Sequence, residues 1–161
     1  MLSASFQPFF DWCGKTWLGS IVRDTTWAFP VLETFHLLAL AILLGTVLII
    51  NLRAFGIGVR YLSETWTDRE LEPWMVTSLA ILIATGIPMF LSEPEKCYES
   101  YSFPIKMMLL VVAIVWHFAV QRKWSARNPA LSPGFKGRLI ASLSILLWLC
   151  IGVAGKGIPY V

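Results

Sequence analysis

The sequence predicts an all-α membrane protein, a four-transmembrane-helix antiparallel bundle with an N-terminal interfacial amphipathic segment. Three observations carry this. The 161 residues are 57% hydrophobic and 14% charged, whereas a soluble domain carries roughly 25% charged residues. The apolar residues gather into four long stretches with the charges between them, and about 20 apolar residues suffice to cross a hydrocarbon layer of about 30 Å. Strand-type alternation is absent, which argues against a β-barrel. Backbone groups in lipid must be satisfied within the segment, which leaves helices.

Residues 4–26 interleave Phe6, Phe9, Phe10, Trp12, Trp17, Leu18 and Ile21 with Asp11, Lys15, Arg23 and Asp24, and Trp27 follows. That mixture suits one or two short helices lying on a membrane surface. Without a basic n-region it does not read as a secretory signal. The spans are expected at 28–50, 73–91, 103–120 and 139–154, within a single membrane domain, 1–161. Pro30 falls in the first turn of the first span, where proline is tolerated. Thr67-Asp68 reads as the start of a short helix running into Pro73. Asn128-Pro129 and Ser132-Pro133-Gly134 mark turns. Short connections favour neighbouring antiparallel helices. Gly45, Gly86 and Gly152, inside three spans, either let helices approach closely or leave room for a flat cofactor.

The net charge of +3 forms no nucleic-acid patch, and the partner the composition names is the lipid bilayer. Arg53, Arg60 and Arg69 follow the first span, and Arg122, Lys123, Arg127, Lys136 and Arg138 follow the third; Lys15, Arg23, Lys96, Lys106 and Lys156 fall on the other side. By the positive-inside rule the two richer loops are cytoplasmic and both termini lie outside. Cys13 and Cys97 then share the outer side, where a bridge between them can persist and where two unpaired surface thiols are the alternative. Cys150 reads as a small buried hydrophobe in the fourth span.

The chain's two histidines, His36 and His117, both fall inside expected spans. Ionisable residues there are costly and are functional candidates, and a neutral imidazole is a good axial ligand to haem iron or to a chlorophyll-type metal. Both are therefore candidate metal ligands; the alternative is a histidine hydrogen-bonded to a neighbouring helix. At 1.5 Å per residue, His36 lies about 12 Å and His117 about 21 Å below the outer ends of their helices. That offset of about 9 Å argues against one haem held by both. Each histidine could serve a separate haem, or Met107 or Met108 could complete the ligation of His36. Glu33 is one turn before His36, able to reach the histidine, Lys106 or the headgroups. Arg53 and Lys106 are candidate partners for haem propionates, with lipid phosphate as the alternative. No phosphate loop, Cys-x-x-Cys, zincin or serine-elbow motif is present.

Trp17-Leu-Gly-Ser-Ile-Val-Arg23, Trp27-Ala-Phe-Pro-Val-Leu-Glu-Thr-Phe-His36, Asn51-Leu-Arg-Ala-Phe-Gly56, Thr85-Gly86 and Phe103-Pro-Ile-Lys106 resemble a family of small, largely uncharacterised bacterial four-helix membrane proteins. The Glu33-x-x-His36 element is the most specific part of the likeness. The resemblance implies a four-helix fold, a bacterial inner membrane location, and Glu33, His36, Arg53 and Lys106 as a site; it does not extend to His117.

The leading expectation is a b-type cytochrome-like subunit in electron transport, with haem b on His36 and a redox partner protein or quinol as its counterpart. His117 would be a second ligand or serve a second haem. The alternatives are a cofactor-free accessory subunit of a larger complex and, third, a transporter or channel, for which intramembrane polar residues are few. A homo-oligomer is expected, because symmetric pairs are common and one bundle offers few ligands.

Overall fold

The computed structural model describes residues 7–55, 57, 64–127 and 134–156, in which every regular element is helical. Two short helices, α1 (Gln7–Gly14) and α2 (Trp17–Asp24), stand where the sequence predicts one or two. Thr16 makes the break between them. Its hydroxyl donates to the Cys13 carbonyl at 2.7 Å, and the same oxygen accepts from the Gly19 N–H at 3.3 Å. One side chain therefore serves a carbonyl at the end of one helix and an N–H at the start of the next.

The long elements are α3 (Ala28–Ala54), α4 (Glu64–Ser92), α6 (Ser102–Val115) and α8 (Phe135–Lys156). A six-residue helix, α5 (Pro94–Glu99), fills the connection between α4 and α6. Without a break, α6 continues through a π-helical segment, Trp116–Gln121, into α7 (Arg122–Arg127). Four helical stretches are long and apolar enough to cross a membrane: Ala28–Arg53, Arg69–Ser92, Ser102–Trp124 and Phe135–Gly155. They outrun the expected apolar stretches because helical hydrogen bonding continues into their polar ends. The short helix expected between Thr67 and Pro73 is the beginning of α4, which runs unbroken through Pro73 and Pro88. A proline has no N–H for the carbonyl four residues back, so Pro88 leaves the Ala84 carbonyl without that donor. The turns expected at Asn128-Pro129 and Ser132-Pro133, together with Gly56 and Arg60, lie outside the described residues.

Helix α3 packs along α4 and α8, and α6 along α8. By contrast, among the described residues α4 and α6 have no extended backbone contact. The Phe90 and Phe103 rings tie them at one end, stacked with centroids 5.3 Å apart, and Glu72 of α4 pairs with Arg122 of α7 at 3.3 Å. Side chains of α4 and α6 meet in the shared core rather than by close backbone approach. That core is Leu43 and Val47, Met75 and Leu79, Ala113, Trp148 and Ile151. Apolar side chains elsewhere on the long helices point outward, and α6 is the least enclosed of the four.

Helices α1, α2 and α5 cover one end of the bundle, called here the capped end. A Cβ on Gly19 would stand 2.3 Å from the Leu91 carbonyl oxygen, so α2 approaches α4 as closely as only glycine permits. Arg23 adds two bonds, from Nε to the Ser92 carbonyl and from a terminal nitrogen to the Gly14 carbonyl, both at 2.9 Å. Phe10 inserts among Phe90, Tyr98 and Phe103, at 5.7, 5.4 and 6.5 Å between centroids. The structure holds all three cysteines as free thiols. Cys13 and Cys97 are buried in the cap rather than on its surface, whereas Cys150 is exposed on α8 rather than buried.

Candidate functional site

His36 is half-buried on α3, turned toward α4. Its Nδ1 lies 2.8 Å from Thr85 Oγ1. That hydroxyl is in turn 2.7 Å from the Ile81 carbonyl, an acceptor within reach of its single proton. The Leu82 carbonyl is also within 3.3 Å; with its proton directed to either carbonyl, the Thr85 oxygen accepts from His36 Nδ1, and in that tautomer the Nε2 of a neutral ring keeps its lone pair. No partner of Nε2 is recorded among the described residues. The ring lies over Gly86, where a Cβ would stand 3.4 Å from His36 Cε1. A methyl there would be in van der Waals contact with the imidazole.

The other predicted residues divide between the two ends of the bundle. Lys106, in the second turn of α6, is partly buried against α8: a Cβ on Gly155 would be 3.1 Å from its Nζ and 3.3 Å from its Cε. Its ammonium is close enough to act electrostatically on His36 and on Cys97. Burial pushes the Cys97 thiol up to about 11, with Lys106 and Lys96 opposing and Glu93 adding to the rise. Glu33 is exposed although it lies one turn from His36 on α3, and no polar contact to His36 or Lys106 is recorded among the described residues. Met107 and Met108 are 45% and 63% exposed, so neither supplies a ligand beside His36 within this chain.

His117 and Arg53 lie toward the far end. Asn51, 1% exposed, donates from Nδ2 to the Val47 carbonyl at 2.7 Å and to Ser144 Oγ at 3.3 Å. Its Oδ1 accepts from Gln121 Nε2 at 3.0 Å. This joint ties α3, the π-helical segment and α8. His117 is buried, one turn from Gln121, with its ring edge-on to Phe118 at 5.1 Å. Counting along α3 from His36 to Asn51, and back along the π-helical segment from Gln121 to His117, puts the histidines about 16 Å apart in depth. The structure therefore separates His36 from His117 further than the sequence count does, which argues against one haem held by both. Arg53 sits in the last turn of α3, about 25 Å along the helix from His36.

Among the described residues no three His, Cys, Asp or Glu side chains cluster as a metal site. Haem asks less of the protein, since the porphyrin supplies four nitrogens and the chain one or two axial ligands.

A family model covers residues 9–161, from α1 past the end of α8. The chain belongs to DUF6644, a family of unknown function. No curated protein and no solved structure matches it. In this DUF6644 chain the sequence singled out His36, Gly86 and Lys106, yet not the roles of Thr85, Gly155, Gln121 or Ser144. Each of those is a polar or small residue within an apolar stretch. That signal is real, but it does not say which helix the residue faces.

Proposed function

We propose that this chain is an integral membrane protein that holds haem b on His36 and passes electrons within a bacterial inner membrane. One observation carries the reading: the hydrogen bond between His36 Nδ1 and Thr85, which leaves Nε2 as a lone pair within a bundle of apolar helices. A metal-binding histidine almost always donates its other ring N–H in this way, which fixes its tautomer and orientation. The ring packs over Gly86, and the α4–α6 side, where backbone contacts are sparse among the described residues, would give a flat ligand a way between helices. Bound haem would supply one-electron chemistry. The chain's own part is to hold the imidazole, shape the gap and exclude water. The Lys/Arg excess at the far end supports a cytoplasmic position for it, with the capped end and its aromatic side chains at the outer interface.

The test is an absorption spectrum of the purified protein with a pyridine haemochrome assay. A Soret band that sharpens on reduction, and that His36→Ala removes, is expected. A chlorophyll-type pigment would show its own bands. A protein that assembles without any pigment would sink the proposal and leave the accessory-subunit reading.

A further inference from the structure

Two glycines within the spanning helices meet a neighbouring side chain. Gly86 meets His36, and Gly155 meets Lys106. Gly45 and Gly152 have open space where a Cβ would stand, so close helix packing does not explain those two. The Gly155 contact shows where Lys106 goes. Its alkyl chain lies against the last turn of α8 within the bundle, and among the described residues neither a hydrogen bond nor an ion pair is recorded for its ammonium. A partly buried cation without a partner is costly. Unlike a lysine that snorkels freely to the headgroups, this one is held against a helix, in electrostatic reach of His36.

The depths fit one ligand. His36 lies about 12 Å below the start of α3, and Lys106 about 6 Å below the start of α6 at the same end. The Lys106 backbone therefore stands roughly 6 Å nearer the capped end than that of His36. A porphyrin whose iron faces His36 carries its carboxylates on one edge, offset from the metal. We infer that Lys106, seated by Gly155, is the anion-holding half of the His36 site, so that the ligand is a carboxylate-bearing porphyrin held with that edge toward the capped end. This rests on the haem reading above. Lys106 is a binding residue in it, and Gly155 a positioning residue.

The experiment compares haem with its dimethyl ester, in which both carboxylates are masked, by titrating each into pigment-free protein and following the Soret band. Wild type should bind haem about ten- to a hundredfold more tightly than the ester, the range for a charge-assisted pair. Lys106→Met should abolish that difference while still binding the ester, and Gly155→Ala, which displaces the lysine, should shrink it. Equal binding of haem and ester by wild type would overturn the inference, leave His36 as a haem ligand, and assign Lys106 to lipid phosphate. Binding of neither pigment would overturn the haem reading and this inference together.

Discussion

A threonine hydroxyl owns one proton, and at Thr85 the Ile81 carbonyl stands 2.7 Å from it. Donation there would set the tautomer of His36, so replacing the hydroxyl tests the site without touching the ligand. Thr85→Val keeps the shape and removes the acceptor. It is expected to weaken haem binding about ten- to a hundredfold, the usual effect of losing such an outer partner, while His36→Ala removes binding altogether. A Thr85→Val titration that matches wild type would show that the hydrogen bond does not orient the ligand. Cys97 offers a second test. Burial raises its thiol from 9.0 to about 11, so folding favours the protonated form. Its contribution to stability is then complete below pH 9 and is lost as pH rises through about 11. Thermal unfolding in detergent should show wild type losing more stability than Cys97→Ala between pH 8 and pH 11, and the two keeping pace below pH 8.

At the scale of elements, the capped end is held by the closest backbone approach and by one guanidinium. Gly19→Ala would set a methyl 2.3 Å from the Leu91 carbonyl. Backbone on both sides cannot yield cheaply, so α2 is expected to lift off at a cost of about 1–3 kcal/mol. Limited proteolysis should then cut between α2 and α3 while the long helices stay protected. Hydropathy made the long helices legible, because 20 apolar residues in a row admit few other structures. It did not make α5, the passage of α4 through Pro73, or the π-helical segment legible. A proline in a helix is tolerated or not according to its neighbours, and nothing in Trp116–Gln121 marks an extra residue in the turn. Candidate ligands were legible as rare polar residues among apolar ones. Their grouping was not, since Glu33 and His36 look adjacent in sequence yet one faces outward and the other faces α4.

For the whole molecule, the polar joint at Asn51 does what hydrophobic burial cannot do between helices in lipid, where the surroundings are as apolar as the core. Asn51→Leu would leave Gln121 Nε2 and Ser144 without that partner and is expected to cost about 1–2 kcal/mol, read as an earlier unfolding transition in detergent. The pigment site should survive, because His36 lies about 22 Å along α3 from the joint. Retained haem binding in a destabilised Asn51→Leu protein would separate the two ends experimentally. The contact between Lys106 and Gly155 has a consequence for the protein's manufacture. Chains are made from the N-terminus forward, and Gly155 lies in the last turn of α8. His36, Thr85 and Gly86 are all synthesised before Lys106, and Lys106 before the glycine that seats it. If the proposed site holds a pigment, a nascent chain would present its imidazole well before it could hold the pigment's acidic edge, and loading would become secure only when the final helix has joined the others.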